Sequence, residues 1–386
     1  MMPAYLHIID ITFFILLGIS VAYIFIFALF SLRNIHEKYS KTSRNYTMAV
    51  FIPAYKEDAV IESCVENLLS QDYPKECYDI IIIADSFREE TLRKLSSMPI
   101  AIIIPSFEQS SKAKALKFAI QNMNVDFDIA VIIDADNIVE KSFLHDIADA
   151  FDNGIEAVQT HRVAKNLDTP VAILDAASEE INNAIFRKGQ VSAGFSANLI
   201  GSGMAFKYNW FKENVKKLET AGEDKELERL LCKERVFVDF LDKTFIYDQK
   251  VSKSNAFYSQ RRRWIASQFG IFKNSVGEFP HALFSGNLDY CNKIFQWSQP
   301  PRVLLLGFVG VITVLMTIFY INASIKWWVL LLMIGFTFAC GIPDRLVSND
   351  FKRAINRVPL LGLMMFANVF RIKGVNKKFI HTEHSA

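Results

Sequence analysis

The chain has little of what marks a zinc-cage protein, a disulfide scaffold or a nucleic-acid binder. Its five cysteines, Cys64, Cys77, Cys232, Cys291 and Cys340, are scattered and odd in number. None forms a C-x-x-C pair, which argues against a zinc cage or disulfide framework and fits a reducing compartment. A net charge of +2 gives no electrostatic case for nucleic acid as a partner. The sequence contains no G-x-G-x-x-G or G-x-x-x-x-G-K-[ST] run, so dinucleotide and P-loop sites lose their usual support. It also has no internal repeat and no low-complexity stretch. What it has is apolar residues: 51% of the 386 are hydrophobic, which is high for a wholly soluble chain. Charged residues still make up 22%, too many for a protein that is all membrane span, so the mixture implies a soluble domain with a few transmembrane segments.

Hydropathy divides the chain. After a short N-terminus, residues 1–10, the run Ile11 to Leu32 carries no charge. At about 1.5 Å per residue it reaches roughly 33 Å, enough to cross a bilayer core. A cleaved signal peptide is the alternative, but the run is long for one and no basic residue precedes it. Arg33, Lys38, Lys41 and Arg44 follow at once, which puts the next segment in the cytosol by the positive-inside rule. Residues 271–302 read as an interfacial linker. Uncharged runs then cover Val303 to Tyr320 and Trp327 to Ile342, separated only by residues 321–326. They read as a membrane hairpin with Tyr320, Trp327 and Trp328 as aromatic anchors at its turn, or else as a buried hairpin of a soluble core. Arg345, Lys352, Arg353 and Arg357 return the chain to the cytosolic side, so both basic clusters agree on orientation. In the cytosolic tail, residues 343–386, the apolar stretch Val358 to Phe370 is only thirteen residues long. It reads as an interfacial or re-entrant helix, with a third C-terminal crossing as the alternative. The whole implies an integral protein of the cytoplasmic membrane whose partners include membrane lipids.

Between the membrane segments the pattern is α/β. Apolar strands are expected at 48–52, 80–83, 100–104 and 129–133, with helices at 58–70 and 112–122. Near-continuous apolar strands separated by helices imply a parallel sheet covered on both faces. Ligands of such sheets collect at the carboxyl ends of the strands. That rule points to Pro53-Ala54-Tyr55-Lys56-Glu57, Asp85 and Asp134-Ala135-Asp136.

The chemistry-bearing residues follow. Asp134 and Asp136 could hold a hard divalent cation that accepts diphosphate oxygens in its open positions, or could equally sit in a solvated turn. Glu223 and Asp224 precede an expected helix at 225–232. They could complement its dipole, or Asp224 could act as a general base on an acceptor hydroxyl. Gln260-Arg261-Arg262-Arg263-Trp264 could clamp a pyrophosphate, with the indole against a sugar or base; the alternatives are a basic membrane-surface patch or a nuclear-type basic run.

Taken in order, these elements resemble the D, DxD, (E/T)D, Q(Q/R)xRW series of the membrane-bound glycosyltransferase family 2, the group of cellulose, chitin and hyaluronan synthases and ceramide glucosyltransferases. The resemblance covers about residues 46 to 270. It implies a GT-A fold, a nucleotide-sugar-binding, Rossmann-like α/β domain, between the N-terminal and C-terminal transmembrane helices. It also implies a role for each residue. Pro53, Ala54, Tyr55, Glu57 and Asp85 surround the base and ribose of the donor. Lys112 lies near the donor in a G-K-A-x-A-L-like element, although Ser111 stands where the family has glycine. Asp134 touches the donor, Asp136 binds Mg2+ or Mn2+, and Asp224 is the base. Gln260, Arg261, Arg263 and Trp264 lie over the pyrophosphate and the acceptor end. The segment 195–204, with Gly201 and Gly203, resembles the acceptor-pocket lining, or is simply a turn before a strand.

One base and no carboxylate nucleophile imply a single inverting displacement. The donor expected from the resemblance is a UDP-sugar. The acceptor is a growing surface polysaccharide or, in the alternative, a lipid that takes one sugar; an inactive nucleotide-binding scaffold is a third reading. Three helices make a poor polymer channel unless another copy supplies wall, which keeps a homo-oligomer open. A transporter is disfavoured, because no acid or base lies between Ile11 and Leu32 or between Val303 and Tyr320.

Overall fold

The computed structural model describes residues 2–33, 39–220, 222–251 and 254–369. Lys38 of the first basic cluster, and Phe370 with the tail beyond it, lie outside these described residues. Among them, eight strands form one sheet: β1 (Met48–Tyr55), β2 (Tyr78–Asp85), β3 (Ala101–Ile103), β4 (Ile129–Ile132), β5 (Ile138–Val139), β6 (Ala157–Ala164), β7 (Met204–Lys207) and β8 (Val238–Asp248). Their spatial order is β3-β2-β1-β4-β7-β6-β8-β5.

The first half of the sheet is parallel, as its Ile- and Val-rich runs imply. Successive residues of β1 alternate between two cores: Val50 and Ile52 pack with Ile61 and Leu68, whereas Ala49 and Phe51 pack with Leu116 and Phe206. Both faces are therefore covered, the condition for a continuous apolar strand. The covering helices on the first face are α2 (Ile61–Leu69) and α4 (Phe143–Asp152), and on the second α3 (Lys112–Asn122). The numbering α1 is kept for Ala4–Ser31 at the N-terminus.

The four strands expected from the sequence make up this parallel half, and the second half, which no apolar run announced, is mixed. Strand β7 is antiparallel to both β4 and β6, β6 and β8 are parallel, and β5 is antiparallel to β8. The reason lies in the loop before β7. Gly203 N–H donates to the Ile132 carbonyl at 2.9 Å, so β7 begins at the carboxyl end of β4 and must run back down. This reversal carries residues 198–203 to the crevice where strand order switches around β1, the place where α/β sheets collect ligands.

The remaining long helices surround that crevice. They are α5 (Pro170–Asn183), α6 (Glu223–Lys233), α7 (Ser254–Ser275), α8 (Arg302–Phe319), α9 (Ile321–Gly341) and α10 (Val358–Val369). Helices α1, α8 and α9 are long and apolar enough to cross a membrane. Two boundaries differ from the sequence reading. Helix α1 starts at Ala4 rather than Ile11, and residues 321–326 are helical, so the break between α8 and α9 falls at Tyr320. The earlier start brings Asp10 into α1, where its carboxylate accepts from Trp327 Nε1 at 2.8 Å and pairs with Lys326. With a partner at each oxygen, Asp10 knits α1 to α9. Helix α10 has 12 residues, about 18 Å, too short to span alone.

Helix α5 joins the long apolar helices to the sheet. It continues through a π-helical turn, Ala184–Lys188, into Gly189–Ser192. A Cβ on Gly189 would stand 2.1 Å from the Phe27 carbonyl oxygen, so glycine alone permits this backbone contact with α1.

Candidate active site

The carboxyl ends of β1, β2 and β4 build the floor of one cavity of about 830 Å3. Tyr55 and Asp85 are register partners at the ends of β1 and β2. Directly after each, Lys56 and Ser86 take left-handed φ values of 57° and 60°, which breaks both strands sharply at the crevice. Asp85 is buried and accepts from its neighbour Ser86 Oγ at 2.9 Å. All the residues singled out from the sequence line this cavity: Pro53, Ala54, Tyr55, Glu57, Asp85, Lys112, Asp134, Asp136, Asp224, Gln260, Arg261, Arg263 and Trp264.

Lys112 occupies the first turn of α3. The residue before it, Ser111, has an extended backbone and accepts from Lys114 N at 3.2 Å, so it serves as the helix N-cap. No glycine is needed there, which accounts for the departure from the family pattern. The Lys112 ammonium donates to the Gly201 carbonyl at 2.6 Å, pairs with Asp134, and stands 3.6 Å from Glu223. Burial opposes its charge, but the Asp134 and Glu223 carboxylates outweigh burial and hold it above the ordinary lysine range. Glu223 responds differently. Burial, aided by the Asp224 and Asp134 charges and only partly offset by Lys112, pushes its carboxyl up to about 7. Asp224 sits in the first turn of α6, and its Oδ1 accepts from Lys225 N at 2.8 Å. Gly201, at φ 88°, brings its carbonyl to Lys112 in a conformation that a side chain would strain. The segment 195–204 is thus both of the things its sequence suggested, a turn ahead of a strand and cavity lining at Asn198, Leu199, Ile200 and Gly201.

The 260–264 element lies on α7. Arg261 is buried, pairs with Asp175 of α5, and has its guanidinium carbon 4.4 Å from the Trp264 ring centre. Gln260, Arg263 and Trp264 line the same wall.

The sequence match that decides the family covers residues 45–267, more than half of the chain, and the family is described as glycosyltransferase-like family 2. The chain belongs to this family. A Methanococcus voltae relative, described as dolichyl N-acetyl-α-D-glucosaminyl phosphate 3-β-D-2,3-diacetamido-2,3-dideoxy-β-D-glucuronosyltransferase, is 32% identical over 102 residues. That match covers 25% of this chain and 31% of the relative, so the chain spans about a third of the length of that protein. Among solved structures, a mannosyltransferase from Pyrobaculum calidifontis in complex with GDP-Man and Mn2+ is similar with a TM-score of 0.55 at 14% identity, over 85% of this chain and 96% of that one. Glucosyl-3-phosphoglycerate synthase from Mycobacterium tuberculosis, with Mn2+, UDP and phosphoglyceric acid, gives 0.43 at 16% identity, over 58% and 78%. The fold is GT-A, with apolar helices at both ends of the chain.

In this family 2 glycosyltransferase, the residues at the end of β4 suit a divalent cation by their chemistry. Asp136 is buried and accepts from Asn137 Nδ2 at 3.0 Å; the same amide reaches Asp248 Oδ1 at 3.2 Å. Asp134 N–H donates to Ser202 Oγ at 2.9 Å, which fixes the turn. Among the described residues no group of three His, Cys, Asp or Glu side chains closes into a cage. Two hard carboxylates without sulfur or imidazole are the donor set of Mg2+ or Mn2+, which take their remaining oxygens from diphosphate and water.

Sequence reasoning missed the wall opposite. Asp175, Ser178, Glu179 and Asn182 recur at helical spacing along one face of α5 and all line the cavity. Glu179 accepts from Arg162 at 2.8 Å and from Arg187 at 3.0 Å. Burial works against its charge, but Arg162, Arg187 and Lys250 together hold its carboxyl well below the usual range. Arg187 and Phe186 both come from the π-helical turn. Such turns concentrate at functional sites.

Proposed function

We propose that this chain is an inverting glycosyltransferase that moves one sugar from a nucleoside diphosphate sugar to an acceptor held in the bilayer. One observation carries the reading. The cavity that holds Asp85, Asp134 and Asp224 continues to Leu306 of α8, Phe338 and Ala339 of α9, and Leu361 and Met365 of α10. Polar donor chemistry and an apolar cleft between membrane-length helices therefore share one space. A lipid chain fits such a lining, whereas a growing polysaccharide would leave its hydroxyls unpaired there. This favours a lipid acceptor over polymer extension. The intact set of acids disfavours an inactive scaffold.

Pro53, Ala54, Tyr55, Glu57 and Asp85 would take the base and ribose, a UDP-sugar being the family norm. Lys112 and Arg263 would face the diphosphate. A divalent ion held by Asp136, with Asp134 beside it, would neutralise the departing diphosphate. Asp224 takes the proton of the acceptor hydroxyl as its oxygen bonds to the anomeric carbon. The bond from that carbon to the diphosphate oxygen breaks, and its electron pair leaves with the diphosphate. One displacement inverts the configuration. Arg33, Lys41 and Arg44 after α1, and Arg345, Lys352, Arg353 and Arg357 after α9, support a catalytic domain on the cytosolic side of the cytoplasmic membrane.

The test is incubation of the full chain in lipid nanodiscs with a panel of radiolabelled nucleotide sugars and a total polar lipid extract. The expected product is organic-extractable and one sugar heavier than its acceptor. A water-soluble ladder would overturn the lipid reading in favour of polymer extension.

A further inference from the structure

Where the hydrophilic part of the cavity meets the apolar cleft, five cationic side chains gather around α5: Arg162, Arg187, Lys250, Arg261 and Arg302. Three carboxylates answer them, Asp175 to Arg261, Glu179 to Arg162, Arg187 and Lys250, and Asp248 to Lys250 and Arg162. Among the described residues, two of these five charges therefore lack a carboxylate of their own. The surplus centres on Arg302, the first residue of α8. Among the described residues its Nη2 donates only to neutral acceptors, the Ser178 carbonyl at 3.0 Å and Ser178 Oγ at 3.4 Å, and its guanidinium carbon lies 5.6 Å from the Phe186 ring centre. Its Nη1 is buried and has no hydrogen-bond partner among the described residues. Arg261 Nε, in the same corner, is likewise buried without one. A buried guanidinium nitrogen with nothing to donate to is costly, and surplus charge in a membrane-facing cavity more so. Such a corner is complete only with an anion in it.

We infer that this corner binds the phosphate of the lipid acceptor, so that the acceptor is a phosphate-bearing lipid rather than a neutral one such as a ceramide or diacylglycerol. The inference rests on the lipid-acceptor reading above and narrows it. Val303 and Leu306 continue from Arg302 along α8 into the apolar cleft, which places the corner where a headgroup joins its chain. Two surplus positive charges match a phosphate or diphosphate ester, and guanidinium groups pair with its oxygens in forked geometry. With Asp224 as the base for a hydroxyl, as proposed above, the acceptor also carries a hydroxyl beyond that phosphate.

The test uses the full chain in detergent and four probes: farnesyl phosphate, farnesol, inorganic phosphate and a nucleoside diphosphate, UDP and GDP each being titrated. Farnesyl phosphate is expected to bind at least tenfold more tightly than farnesol or inorganic phosphate and to bind alongside the nucleotide. Arg302→Gln should erase that preference without changing nucleotide affinity, and Arg302→Lys should retain part of it. Equal binding of farnesyl phosphate and farnesol would overturn the phosphate subsite and leave the lipid reading standing. Inorganic phosphate binding as tightly as farnesyl phosphate, with farnesol not bound, would sink both. Competition between farnesyl phosphate and nucleotide, measurable on the wild-type chain even where the variant does not fold, would reassign Arg302 to the donor.

Discussion

Glu223 offers a measurement in which the active site is read as stability. Its carboxyl is 6% exposed, and burial with two neighbouring carboxylates raises it from 4.5 to about 7 in the folded chain. Between those values the folded protein keeps a proton that the unfolded chain has already released. Stability therefore falls as pH rises through this window. At about 1.4 kcal/mol per pH unit, the loss approaches about 3 kcal/mol once pH passes 7. Glu223→Gln replaces the carboxyl by a neutral group of the same shape and should remove the fall. The assay is thermal denaturation in detergent, in EDTA and without donor, for both proteins from pH 4.5 to 8. At the acid end the two should coincide. At pH 8 the variant should melt roughly 4 °C higher. His161 adds a second slope, since Asp242 and Glu180 overcome its burial and raise it from 6.5 to about 9. The stability from those contacts is full below pH 6.5 and is lost between 6.5 and about 9, equally in both proteins, so it cancels in the difference. Parallel curves for wild type and variant, or a variant less stable at pH 8, would refute the argument by showing that Lys112 makes the Glu223 carboxylate a net stabiliser.

Three further outcomes are expected. Asp224→Asn should abolish turnover while leaving nucleotide affinity within about twofold; substantial residual transfer would remove Asp224 as the base. Chelation with EDTA should stop activity and Mg2+ or Mn2+ should restore it, whereas full activity in EDTA would take the cation away from Asp136. A Cβ on Gly222 would stand 2.1 Å from Ser267 Oγ. That hydroxyl can turn away and leave Ser267 Cβ at 3.3 Å as the close neighbour, so Gly222→Ala should cost up to about 1 kcal/mol in a melting assay, recovered by Ser267→Gly in the same chain; a loss that persists in the double variant would show that Ser267 is not its source.

The legible part of this sequence was the part buried on two faces or fixed by motif. The runs of β1, β2 and β4 admit no reading but a covered strand, and α3 has the bounds that its spacing implies. Strand β6 was invisible because Gln159, Thr160, His161 and Arg162 follow one another in it. All four are buried, and each finds its partner through contacts distant in sequence, such as Gln159 to Ser202 O at 2.9 Å and His161 to Glu180 at 2.9 Å. The α5 face failed for the opposite reason. Asp175, Ser178 and Glu179 make a polar stripe of the kind that normally faces water. Only the arginines brought from 162, 187, 261 and 302 turn that stripe inward, and of these a local pattern announces Arg261 alone. The acids at 85, 134, 136 and 224 were readable as a series, whereas their electrostatic balance was not. The odd one out is Glu223, whose upward shift comes from burial and the Asp224 and Asp134 carboxylates and is opposed by Lys112 at 3.6 Å.

The contact between Gly189 and Phe27 has a mechanical consequence. Backbone lies against backbone there, with no side chain between the helix that continues α5 and α1. Since α5 also lines the cavity, a membrane-embedded α1 would, under the lipid-acceptor proposal above, hold the pocket at a set height over the bilayer. The joint would then sort acceptors by the length of headgroup between chain and hydroxyl.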